Sequence, residues 1–99
     1  MAQEDEKNGH INSLIFASST GEDNKISCKL FLKGQYNAWN ITVRKIASEK
    51  SDPKEYKQVY SFLEELKKQA GVESVNDLNG MKIKAIFKKD ELVTFRMDV

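Results

Sequence analysis

Few residues in this chain have the types and spacing that catalysis needs. His10 is the single histidine and Cys28 the single cysteine. One of each cannot build a structural zinc site of the Cys/His kind. Glu64-Glu65 and Asp90-Glu91 are adjacent pairs. Neighbours on a helix or strand diverge, so neither pair converges on a substrate. No glycine-rich phosphate loop occurs. These observations point away from an enzyme, a metal site and a bound cofactor.

Residues 24 to 48, NKISCKLFLKGQYNAWNITVRKIAS, suit a different chemistry. They contain no Asp or Glu, and Lys25, Lys29, Lys33, Arg44 and Lys45 give them a charge of +5 in a chain of net +1. Phe31, Tyr36 and Trp39 are interleaved with those cations. Lysine and arginine neutralise phosphates, and aromatic faces accept bases. Lys29, Lys33, Arg44, Lys45, Lys82 and Lys84 are therefore the candidate phosphate contacts. Phe31, Tyr36 and Trp39 are the candidate stacking residues. Each has a plainer reading. Phe31 could pack beneath a loop, Trp39 shares a face with Ile41 and Val43 and could be core, and Lys82 and Lys84 could simply keep a strand face solvated.

The elements that would position these groups follow from periodicity. Residues 1 to 9, MAQEDEKNG, lack an apolar anchor and read as a flexible acidic tail. Residues 10 to 99 read as one domain. His10 to Ala17 is a first strand. Lys25 to Lys33 alternates, with Ile26, Cys28, Leu30 and Leu32 on one face and Lys25, Ser27, Lys29, Phe31 and Lys33 on the other. Gly34-Gln35 is a short turn, and Tyr36 to Ile46 a third strand. Ser51 or Asp52 caps a helix that Pro53 begins and Gly71 stops. Tyr56, Val59, Tyr60, Leu63, Leu66 and Ala70 form its apolar stripe, with Phe62 off it as an anchor for a protein partner. Met81 to Lys88 and Leu92 to Val99 complete the pattern, with Val93, Phe95, Met97 and Val99 on one face. Cys28 falls on the apolar face of its strand and reads as a buried thiol.

Bulk composition agrees with a small folded domain. Hydrophobic content of 39% and charged content of 31% describe a globular chain rather than a disordered one. The longest run free of His, Lys, Arg, Asp and Glu, residues 11 to 21, is too short and polar to span a bilayer. A lone cysteine fits a reducing, cytoplasmic compartment.

Three strands, a helix and two strands make a mainly β chain with one helix, ordered βββαββ. At this point the chain resembles the OB-fold, a five-stranded Greek-key barrel with its helix between the third and fourth strands. It is similar to the small single-stranded-DNA-binding proteins of phages and mobile elements. Leu78-Asn79-Gly80-Met81, leading into a basic strand, looks like a common approach to the fourth strand of such domains. Bacterial members carry a long acidic tail after the barrel, whereas here the acidic residues lie ahead of the first strand. The resemblance implies a ligand face on strands two and three and single-stranded DNA, or RNA, as partner. The Lys, Ile, Asn and Glu usage suggests an element of a low-GC bacterium. The alternative is a protein-binding inhibitor or adaptor, because OB-like barrels also bind proteins.

Overall fold

Alternating apolar residues make strands when one face can be buried, and in the computed structural model five such strands share one sheet. The structure describes residues 4–98. The elements are β1 (Glu4–Ser19), β2 (Lys25–Gly34), β3 (Asn40–Ser48), α1 (Pro53–Ala70), β4 (Lys82–Lys88) and β5 (Glu91–Met97). All pairings are antiparallel, in the order β3-β2-β1-β4-β5, and the sheet curls into a half-barrel. Ile11, Ile26, Leu30, Leu32 and Ile83 are fully buried on its inner face, and Leu78, from the turn before β4, is buried in the same core.

The curl originates in β1. Its first half pairs with β4 over residues 4–10 and its second with β2 over residues 9–19. Ile11 faces Leu32 and Ser13 faces Phe31, which leaves Asn12 unpartnered. Such a bulge bends the strand and sharpens its twist. It also inverts the side-chain alternation, so Gly9 and Ile11 point inward before it and Leu14 after it. The backbone around the bulge is satisfied by the segment before β4. Asn79 Oδ1 accepts from Leu14 N at 2.6 Å. Gly80 N donates to Ile11 O at 2.7 Å, and Ile11 N donates to Met81 O at 2.9 Å.

The helix lies across the gap between the two edge strands. Asp52 accepts from Glu55 N at 3.3 Å, Pro53 occupies the first turn, and Gly71 ends the helix with φ 71°. Val59, Leu63 and Leu66 are its buried stripe. Phe62 meets Phe95 of β5 edge-on at 6.0 Å, while Lys45 of β3 sits 4.9 Å above the same ring. Gln69 Oε1 accepts from Met97 N at 3.0 Å. Phe62 therefore joins β3 to β5 through the helix rather than standing out as a partner anchor.

Four other expectations change. Glu4 to Gly9 form part of β1 rather than a tail, because β4 supplies a hydrogen-bonding edge and Lys84 a counter-charge for Glu6. Met1 to Gln3 lie outside the described residues. β3 begins at Asn40, not Tyr36, because Tyr36 and Asn37 both take left-handed conformations (φ 58°) in the preceding turn. A bulge opposite Ile86 and Phe87 turns Leu92 inward and leaves Val93 54% exposed. The last strand ends at Met97, and Val99 lies outside the described residues.

Trp39 closes the core beside the β2–β3 hairpin. Gly9 and Gly34 face each other in register, and the indole lies against both. The ring meets Phe87 edge-on at 5.2 Å. A Cβ on Gly9 would stand 2.5 Å from Lys33 O and 2.7 Å from the indole, so either backbone or ring would have to move. Gly9→Ala is expected to cost about 1–3 kcal/mol of stability by overpacking, read in urea unfolding followed by tryptophan fluorescence. An unchanged midpoint would show that the indole does not rest on this glycine pair.

Candidate nucleic-acid interface

The same alternation that buries Ile26, Cys28, Leu30 and Leu32 turns Lys25, Ser27, Lys29, Phe31 and Lys33 to the outer face. Register then sets their neighbours. Lys29 lies between Arg44 of β3 and Ile15 of β1, and Phe31 between Thr42 and Ser13. Lys33 lies between Asn40 and His10, and His10 pairs on its other side with Lys82. Directly opposed side chains on one sheet face are about 4.5–5.5 Å apart at Cβ. Alternate residues along a strand are about 7 Å apart. Phe31 thus has a lysine about 7 Å away on each side along its strand and short hydroxyl side chains across it. Ser13 and Thr42 are too small to cover its ring fully, and it is partly buried.

The outer face of β2, β3 and the second half of β1 carries Lys25, Lys29, Lys33 and Arg44 and no carboxylate. Among the described residues, no acid pairs with Lys29, Lys33, Arg44 or Lys82. A face of one sign focuses counter-ions, and an unpaired cation need not break a contact to meet a phosphate.

The remaining sequence candidates are distributed differently. Lys84 is outward on β4, but Glu6 shares its charge at 3.6 Å and also accepts from Arg96 at 3.2 Å. Tyr36 is 92% exposed at the hairpin tip, beyond the end of the strand face. Trp39 and Lys45 belong to the inner side. Lys45 is opposite Cys28 and covers Phe62, as its two-residue spacing from Val43 and Ala47 requires. The structure therefore gathers Lys29, Phe31, Lys33 and Arg44, adds Lys82 through His10, and separates Trp39 and Lys45 from them.

His10 was not among the sequence candidates. Nothing in its neighbourhood in the chain marks it, and its place between two lysines depends on β1 pairing with β2 and β4 at once. Ile15 and Ile46, 54% and 64% exposed, also stand on the outer face, Ile15 beside Lys29 and Ile46 beside Ser27.

Among the described residues, no three His, Cys, Asp or Glu side chains gather as metal ligands would, and no helix is long and apolar enough to cross a membrane. Burial pushes the Cys28 thiol up from its ordinary pKa, against a smaller downward pull from the Lys45 ammonium. No protein-family model, curated protein or solved structure matches the chain.

Cys28 has no exposed surface, and the inner face that holds it is the back of the lysine-bearing strand. A thiol reagent is expected to label it only as fast as the protein unfolds, at neutral and mildly alkaline pH alike. Rapid labelling of the native protein would show that β2 does not hold its two faces apart.

Proposed function

We propose that the chain is a non-enzymatic module that binds single-stranded nucleic acid on the outer face of β1, β2 and β3, with DNA favoured over RNA. The observation that carries the proposal is Phe31, turned outward and only partly buried between Lys29 and Lys33 on a face without carboxylates. Stacking on a ring and neutralising phosphates are the two contributions that sequence-tolerant single-strand binders combine. Both reach the same face here, at strand spacing. Such a face carries few groups aimed at base edges, so sequence preference is small.

We read the sheet as an OB-type barrel with one seam left open. The helix falls between the third and fourth strands and lies across the gap between β3 and β5. On that reading β2 and β3 supply the ligand face, as they do in barrels of that type. The sequence resemblance to phage and mobile-element proteins supports the same reading.

A protein partner is the second reading, and Ile15 and Ile46 favour it. Two exposed isoleucines beside Ala17 make an apolar spot on the same face. A partner docking there would contact apolar atoms and depend little on salt.

Stacking and charge are separable by titration with dT-rich and U-rich oligonucleotides at two salt concentrations. Phe31→Ala is expected to weaken binding by about 1–3 kcal/mol with little change in salt slope. Lys29→Ala and Lys33→Ala are each expected to reduce the slope by about 0.7. Absence of binding to any oligonucleotide at low salt would reject the proposal in favour of the protein partner.

A further inference from the structure

We propose that a groove around the tip of the β2–β3 hairpin is a second nucleotide subsite, which takes the strand after it leaves the Lys33 end of the outer face. This inference rests on the outer-face reading and extends it to Lys7, Asn8, Gln35, Tyr36 and Trp39, which that face does not contain.

Two hollows of about 350 and 370 Å³ adjoin at Asn8 and Gln35. The first is walled by His10, Lys82 and Asp98. The second is walled by Lys7, Tyr36 and Trp39. Each is within the range of small-ligand sites, which begins near 300 Å³. A nucleotide needs a cation for its phosphate, a ring for its base, and amides that can donate or accept at a base edge. Lys82 and Lys7 supply the first, Tyr36 and the accessible edge of the partly buried Trp39 the second, and Asn8 and Gln35 the third. His10 is common to the outer face and to the groove. It pairs with Lys33 on one side and Lys82 on the other, so the two sites share a wall.

Tyr36 is the independent pointer. Gln35 to Ala38 form a turn closed by Ala38 N donating to Gln35 O at 3.2 Å, with Tyr36 and Asn37 both left-handed. Such turns favour Asn, Asp or Gly at both central positions. Asn37 conforms. Tyr36 does not, and a bulky side chain at φ 58° is an outlier. Nothing in the fold rewards it, since the side chain is 92% exposed and meets no other aromatic ring among the described residues. Strain kept at an exposed position is a mark of use by a ligand. Lys7 is steadied on the other wall, 4.8 Å over the Phe87 ring. Asp98 is the one carboxylate in the groove, and it repels a phosphate toward the Lys33 side.

The test uses the full chain and fluorescently labelled dT oligonucleotides, one of about 4 nucleotides and one of about 12, within the span of single-strand sites. Tyr36→Gly is expected to raise thermal stability, by relieving the turn, while weakening the longer oligonucleotide roughly five- to hundred-fold. Lys82→Ala is expected to lower the salt slope for the longer oligonucleotide by about 0.7, and Asp98→Asn to tighten it at low salt. A purely structural Tyr36 would lose stability and affinity together. Unchanged affinity of Tyr36→Gly for both lengths overturns the subsite, and the outer-face reading then stands if Phe31→Ala still weakens binding. Failure of the unaltered protein to bind either length rejects the outer face and, with it, the groove.

Discussion

Asn12 has no partner where β1 faces β2, and the strand turns a corner there. The rest of the sheet depends on how that corner is held. Asn79, Gly80 and Met81 take the backbone groups of Ile11 and Leu14 with three hydrogen bonds. The bulge lets one strand pair with β4 by its first half and β2 by its second, so five strands curl around a single core. It also sets the outer face. A one-residue slip in a strand moves every side chain to the opposite surface. With the bulge in place, Ser13 stands beside Phe31 and His10 between Lys33 and Lys82. Without it, one half of β1 would carry its apolar residues outward.

Charge is sorted by the same architecture. The chain is close to neutral, yet Glu6 and Asp23 are engaged away from the Phe31 surface. Glu6 holds Lys84 and Arg96 at the far side of β1. Asp23 accepts from Ser48 Oγ at 2.6 Å and from Lys50 N at 3.0 Å, tying the β1–β2 turn to the end of β3. The Ser48 hydroxyl, and after it the Lys50 amide, hold the Asp23 carboxyl below the usual carboxylate range. A carboxylate with a lowered folded pKa stabilises the fold above its ordinary pKa and loses that contribution as pH falls through the lowered value. Glu6 thus serves as a counter-charge and Asp23 as a turn lock. The lysines of β2 are left facing solvent without partners among the described residues.

Much of this was legible in the sequence, for identifiable reasons. The clean alternation of Lys25 to Lys33 placed Phe31 outward and Cys28 inward, because period two admits one solution once the apolar face is buried. Asp52, Pro53 and Gly71 marked the helix ends because capping chemistry is local. What was hidden depends on long-range pairing. Glu4 to Gly9 resemble a tail until β4 supplies an edge. His10 has no local signal at all. Tyr36 reads as the start of a strand because aromatic residues favour strands, and the turn that holds it, closed by Ala38 N on Gln35 O and flanked by Gly34 N on Trp39 O, has no plain local signal. Lys45 has the charge of a phosphate contact, but its spacing from Val43 and Ala47 assigns it inward. Phe62, off the helical stripe, finds its partners only when α1 meets both sheet edges.

The central claim is that one surface, centred on Phe31, meets the nucleic acid. An amide-resolved NMR titration with a dT-rich oligonucleotide tests it most directly. The account predicts saturating shifts confined to residues 27–33 and 42–44 and their β1 neighbours from 13 to 15, together with the hairpin tip, and little change in α1. Shifts concentrated on α1 and β5, or none under conditions where the protein remains folded, would contradict it.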